Sequence, residues 1–293
     1  MNYTIQSSKT WPLKRHYHFL RFIKLLFLMH IPERSRVGLL FLCTFLFSLS
    51  FSQAQSTLSS SSKKAVNKRI LVFSKTAGFR HASIPAGKRA LMKLGDENGF
   101  AVDTTENADA FQEDNLKKYN VVVFLSTTGN ILDAAQQAAF ERYIQSGGGY
   151  VGIHAAADTE YDWPWYNQLV GAYFMSHPKQ QNAEIEILNH KHPATKMLPK
   201  RWKRYDEWYN YKSIVPEIKV LGNLDEKTYE GGKNGENHPF IWHRDFDGGK
   251  SFYTGGGHTD ESYSDSLFMQ HILGGIQSVW ASKLNYKKAK TQL

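Results

Sequence analysis

Three histidines of the 293-residue chain, His81, His154 and His258, each fall a few residues beyond a short apolar run, on segments rich in glycine or alanine. Imidazole titrates near ambient pH, so such a residue can hold or release a proton, and its neutral ring can ligate a metal. Two chemistries are open to the set. His154 and His258 can act as general acid and base, or His81, His154 and His258 can converge with a carboxylate such as Glu207 on Zn²⁺ or another divalent ion that activates water. Spacing does not choose between them, because the groups come from separate loops, and each histidine taken singly could instead hydrogen-bond to shape its loop. Asp206 and Glu207 are adjacent carboxylates flanked by Trp202, Tyr205, Trp208, Tyr209 and Tyr211, a combination costly to bury without purpose. Asp158 and Asp260 would orient a histidine, contact ligand hydroxyls or cap a helix. Arg80 carries a planar fork that could clamp a carboxylate or hydroxyl-rich ligand, or pair with a surface acid.

Aromatic residues crowd the same neighbourhoods, notably Tyr161-Asp162-Trp163-Pro164-Trp165-Tyr166. Aromatic faces stack on the apolar faces of sugar rings while carboxylates and amides take the hydroxyls. Trp163, Trp208 and Tyr209 are the candidates for that contact, with most of the other rings expected to pack a lid over the core. His177-Pro178 reads as a loop-structuring pair that could enter the site, and His192-Pro193 as a turn. Gly255-Gly256-Gly257 lacks the Lys-Ser/Thr ending of a phosphate-binding loop, and Gly147-Gly148-Gly149 leads into a strand, so nucleotide binding is not supported.

These residues need a frame that brings separate segments together. Arg69 to Ser74, Asn120 to Leu125 and Gly149 to Ile153 are short continuous apolar runs, the pattern of strands covered on both faces. Phe100 to Thr104 reads as a further strand, while Ile84 to Asn98 and Asp133 to Gln145 have helical spacing. This alternation predicts an α/β fold with an open, mostly parallel sheet and helices on both faces. Strands at 183–188, 218–222 and 250–254 and a helix over 266–278 follow. In such sheets ligands bind outside the carboxyl ends of the strands, where the three histidines fall.

Gly78-Phe79-Arg80-His81, Gly152-Ile153-His154 with Asp158, His192-Pro193, Asp206-Glu207-Trp208-Tyr209 and Gly257-His258 together resemble the ThuA-like family, named for trehalose utilisation. The ordered set spans nearly all of residues 68 to 281. The resemblance implies a flavodoxin-like fold related to class I glutamine amidotransferases and a place in carbohydrate catabolism. In those amidotransferases a cysteine occupies the tight strand-to-helix turn and a later His-x-Glu completes a triad. Here His154 stands at the elbow and His258-Thr259-Asp260 resembles the later pair, so no thioester can form and a cysteine-dependent glutaminase is not expected.

The formal net charge of +9 is concentrated at the front. Residues 1–54 hold Lys9, Lys14, Arg15, Arg21, Lys24, Arg34 and Arg36 against Glu33 alone, leaving 29 basic and 26 acidic residues in the remainder. Within this segment, Val37 to Phe51 is an uncharged apolar run of signal-peptide length, followed by Ser52-Gln53-Ala54. The expectation is a cleaved export signal over 1–54, with Met29 the better-proportioned start. A flexible leader over 55–67, one domain over 68–281 and a basic tail over 282–293 complete the division. The single cysteine, Cys43, lies in the apolar run, so the mature domain would have neither disulfide nor thiolate chemistry. The expected partner is a carbohydrate, in the periplasm or outside the cell. Nucleic-acid binding and stable membrane insertion after cleavage are not expected, and oligomeric state has no signature. The leading reading is an enzyme, hydrolase-like, that processes a di- or oligosaccharide or its keto derivative. The alternative is a non-catalytic sugar-binding or accessory protein on the same fold.

Overall fold

The computed structural model describes residues 68–287, which belong to a unit running from Ala65 to Leu293. The expected export signal over 1–54, the expected leader up to residue 67 and the end of the expected basic tail lie outside the described residues. Strands β1 (Arg69–Phe73), β2 (Ala101–Thr105), β3 (Val121–Leu125), β4 (Gly149–Ile153) and β11 (Gly249–Thr254) form a parallel half-sheet in the order β2-β1-β3-β4-β11. Every residue of β3 and β4 is buried, as their uninterrupted apolar runs demand when both faces are covered. Helices α1 (Ile84–Asn98), α2 (Glu113–Leu116), α3 (Ala134–Gln145), α4 (Pro164–Val170) and α5 (Ser266–Ser278) supply the cover. Helix α1 buries Ile84, Leu91 and Leu94. Helix α3 begins at a capping box in which Asp133 accepts from the Gln136 N–H and the Gln136 side chain answers, satisfying donors that would otherwise be orphaned.

The sheet continues from β11 through antiparallel strands β10 (Pro239–Phe246), β9 (Lys219–Leu224), β6 (Gln181–Ile187) and β7 (Arg201–Asp206), giving nine strands in all. The β10–β11 hairpin turns on Asp247 and Gly248, both at positive φ (46° and 92°), the backbone that a two-residue turn between twisted strands requires. Strand β7 alternates, sending Trp202, Arg204 and Asp206 inward and Arg201, Lys203 and Tyr205 outward. A separate pair, β5 (Tyr173–Ser176) and β8 (Asn210–Lys212), completes the strands. No helix among the described residues is long and apolar enough to cross a membrane.

Candidate functional site

His154 is the first residue after β4 and adopts φ 52°, a left-handed backbone that costs a non-glycine residue roughly 1–2 kcal/mol. The neighbouring strand holds it there. The Tyr253 hydroxyl donates to the His154 carbonyl at 2.7 Å, and His154 Nδ1 donates to the Gly255 carbonyl at 2.8 Å. With Nδ1 carrying the proton, Nε2 presents a lone pair, and it lies 3.1 Å from Nδ1 of His258.

The loop after β11 delivers His258, and its three glycines serve close packing rather than phosphate. A Cβ on Gly255 would strike Phe240 and the Tyr211 hydroxyl at 2.4 and 2.5 Å, and Gly257 has φ 113°. Asp206, fully buried at the end of β7, anchors this loop. It accepts from the backbone N–H groups of Gly257, His258 and Glu207, each at 3.0 Å, and from the Ser262 hydroxyl at 3.2 Å. Arg204 stands behind it, its guanidinium between the rings of Trp202 and Phe268 and bonded to Ser262 and Asp265. Glu207, the first residue past the end of β7, leaves the outward side of the strand's alternation and is buried in the site. Its Oε2 is 3.1 Å from His258 Nδ1 and 3.5 Å from His154 Nε2.

His81, delivered by the loop after β1, closes the cluster. The three imidazoles stand nearly perpendicular to one another, with centroids 4.8, 5.0 and 5.1 Å apart. One ligand atom from each of His81, His154, Glu207 and His258 lies within 4.8 Å of all the others. Tetrahedral Zn²⁺ with bonds near 2.0 Å separates its donors by roughly 3.3 Å, so a small inward movement of His81 would suffice. Nδ1 of His81 is buried without a hydrogen-bond partner. Burial, reinforced by the two neighbouring imidazoles, pushes His81 down to about 3. Burial opposes ionisation of Glu207, but the neighbouring imidazoles of His154 and His258 hold it well below the usual carboxylate range. Both therefore stand in the forms that bind metal, a neutral ring and an ionised carboxylate. The donor set and the orphaned nitrogen fit a divalent ion.

Other sequence candidates lie elsewhere. Arg80 is exposed and its fork is occupied by Glu106 at 2.7 and 3.0 Å, so of its two readings the surface ion pair is the one seen. Asp260 is exposed at the start of the short helix Glu261–Ser264, and the carboxylate that meets the histidines is Glu207 instead. Trp163 is buried, stacked on Trp165 and bonded to Glu141; Trp208 is wholly buried and donates to the Gln181 carbonyl. Neither ring face is open to a ligand, because both rings are buried and each indole N–H turns to a partner inside the fold. Tyr209 does reach the cluster, its ring 4.4 Å from that of His154, but it is only 2% exposed. Asp158 is half-buried beside the elbow and accepts from the Tyr161 hydroxyl at 2.6 Å; burial pushes its carboxyl up.

Two further contacts lie on the outer side of the cluster. His177 places Nδ1 3.2 Å from the outer oxygen of Glu207, and Gln180 lies 2.7 Å from Nε2 of His258. Both sit on the segment between β5 and β6, which thereby touches the outer side of two cluster members. The His177-Pro178 pair carried a faint signal, whereas an isolated glutamine carries none.

The ThuA family, described as trehalose utilisation, matches residues 69–281. A ThuA-like protein of Bacteroides uniformis is similar at 26% identity and TM-score 0.64, covering 78% of this chain and 99% of that one. A ThuA-like protein of Parabacteroides merdae shares the fold at 17% identity and TM-score 0.61, over 76% of this chain and 99% of that one. No curated protein matches the chain in sequence. The family's description points to a carbohydrate-related role. With the match running from β1 to beyond α5, the chain belongs to the ThuA family.

Proposed function

We propose that this chain is an exported protein of carbohydrate catabolism that processes a di- or oligosaccharide, or its keto derivative, at the centre formed by His81, His154, Glu207 and His258. The observation that carries the reading is the convergence of four donor atoms within 4.8 Å, one of them from a buried imidazole whose Nδ1 has no partner. A bound Zn²⁺ or similar ion would supply Lewis acidity and a water acidic enough to ionise near neutral pH. The chain's own groups do the positioning. Gly255 fixes the tautomer of His154, Asp206 sets the backbone that carries Glu207 and His258, and Asp158 with Tyr161 offers polar groups to ligand hydroxyls beside the elbow. The absence of cysteine from 55–293 favours this over thioester chemistry. The apolar run at 37–51 and the small residues after it support export.

The test is metal analysis of protein recovered from outside the cytoplasm. The expected result is an N-terminus at Gln55 and about one divalent ion per chain, with His81→Ala and His258→Ala each losing 10- to 100-fold in metal affinity or more. Both variants should also lose turnover of the disaccharide or keto-disaccharide on which the wild type acts. Protein that takes up no ion from a zinc-containing buffer would sink the metal-assisted mechanism, variants with wild-type turnover would remove these histidines from the chemistry, and a wild type that binds sugar without converting it would leave the non-catalytic sugar-binding reading.

A further inference from the structure

With Trp163 and Trp208 buried, the aromatic surface offered to a ligand must come from elsewhere. Among the described residues Phe79 and Tyr205 are the exposed aromatic residues, at 66% and 53%. Tyr205 points away from buried Asp206 across the pleat of β7, on the outer face with Arg201 and Lys203. Phe79 stands two residues before His81, its ring perpendicular to that imidazole at 4.9 Å between centroids. Tyr209 has no face to spare, since it contacts His154 at 4.4 Å and Phe174 at 4.3 Å and is almost fully buried.

An isolated exposed phenylalanine is unremarkable by itself. Phe79 differs in how firmly it is presented. Three consecutive residues are bonded to Thr128 on the loop after β3: Ala77 N–H donates to its carbonyl at 2.8 Å, Gly78 N–H to its hydroxyl at 3.2 Å, and that hydroxyl donates to the Phe79 carbonyl at 2.9 Å. The backbone is thus fixed by the neighbouring strand's loop while the ring stays in solvent. Its neighbour Arg80 turns aside to Glu106 and does not cover it. A ring held in place before binding loses little freedom when a ligand arrives.

We propose that Phe79 is a stacking platform that receives the apolar C–H face of a pyranose ring and seats it beside the His81, His154, Glu207 and His258 centre. The proposal deepens the carbohydrate reading and rests on it. An aromatic face suits this ligand class because a pyranose in its chair form presents axial hydrogens on one side and hydroxyls around its rim, so the ring takes the former and the polar groups by the elbow take the latter.

Calorimetric titration of the metal-loaded protein with trehalose, maltose, cellobiose and a keto-disaccharide tests the assignment, using the wild type, Phe79→Ala, Phe79→Leu and Phe79→Trp. Phe79→Ala and Phe79→Leu are expected to bind the preferred sugar roughly tenfold more weakly, about 1.4 kcal/mol, and Phe79→Trp as tightly as wild type or more so. Metal content should be the same in all four. Undiminished affinity in Phe79→Ala overturns the platform while leaving the carbohydrate reading intact, as does equal affinity in the leucine and tryptophan variants, which would show an apolar contact without a role for the aromatic face. Loss of metal in Phe79→Ala also overturns it, by assigning the ring to the support of His81. A wild type that binds none of the sugars overturns the platform together with the reading beneath it.

Discussion

His81 and Asp206 show how much single residues contribute to the site in opposite ways. His81 carries a buried Nδ1 without a hydrogen-bond partner, which costs about 1–3 kcal/mol, and its ring lies among the donors that a metal would join. Asp206 is fully satisfied and touches no ligand position, yet both of its oxygens hold the backbone that carries Glu207 and His258. Asp206→Asn would replace one acceptor by an NH₂ group facing either the Glu207 and His258 N–H groups or the Gly257 N–H and Ser262. A donor then opposes a donor in a buried place, and the loop must shift. The expected outcome is a 10- to 100-fold loss of metal affinity measured by chelator competition, with destabilisation of about 1–3 kcal/mol in denaturant. Asp260→Asn, on the exposed turn, should change neither. Equal metal affinity in Asp206→Asn and wild type would show that this carboxylate does not position the centre.

The elements explain why the site assembles at one end of the parallel half-sheet. Strands β1, β4 and β11 point the same way, so the loops that follow them meet, and β7 adds Glu207 from the antiparallel extension. The frame should tolerate changes away from that end. Asp133→Ala removes the capping box of α3 and is expected to cost about 1 kcal/mol, read as a lower denaturation midpoint, while zinc binding stays at wild-type strength. A weakened zinc affinity in this variant would mean that α3 couples to the centre. The parallel half was legible because β1, β3 and β4 are unbroken apolar runs, and α5 because its stripe is regular over Ser266 to Ser278. Strands β10 and β7 were not. In β10 the apolar run gives way to His243-Arg244-Asp245, and in β7 the inward positions include Arg204 and Asp206, whose charges are satisfied largely by residues far along the chain such as Ser262 and Asp265. The histidines were legible because each follows a strand. The aromatic rim was misleading, since composition places rings near a site without saying which way they face. Trp163 and Trp208 turn inward to Glu141 and Gln181, and exposed Phe79 lay inside a motif read for its arginine and histidine.

At the scale of the whole molecule, the buried histidines make stability depend on pH, and metal should modify that dependence. Burial is the first cause that pushes His81 down to about 3 and His192 and His271 to about 4, while an unfolded histidine titrates near 6.5. Above pH 6.5 these rings are neutral in both states and add no slope. As pH falls below 6.5 the unfolded chain takes up protons that the native fold refuses, so stability drops towards pH 4 by up to about 1.4 kcal/mol per pH unit for each histidine. Below the ordinary carboxylate range Glu106 adds to the loss, since hydrogen bonding to Arg80, opposed by its partial burial, holds it down to about 2. A metal that binds only the folded centre raises stability according to its concentration over its dissociation constant, and that gain must vanish in acid because protons compete for the same imidazoles. Thermal melts from pH 8 to 4, in chelator and in excess zinc, would show both effects. The expected chelator curve has little histidine-dependent slope above pH 7 and falls steadily below 6.5. The zinc curve should lie above it near neutrality and merge with it by about pH 4 to 5. His81→Ala should narrow the separation between the curves and lessen the acid slope, because it removes both a ligand and one of the three groups that resist protonation. A melting temperature indifferent to zinc across the range would count against the metal centre, and one that stays level down to pH 4 would show that these histidines are not held neutral by the fold.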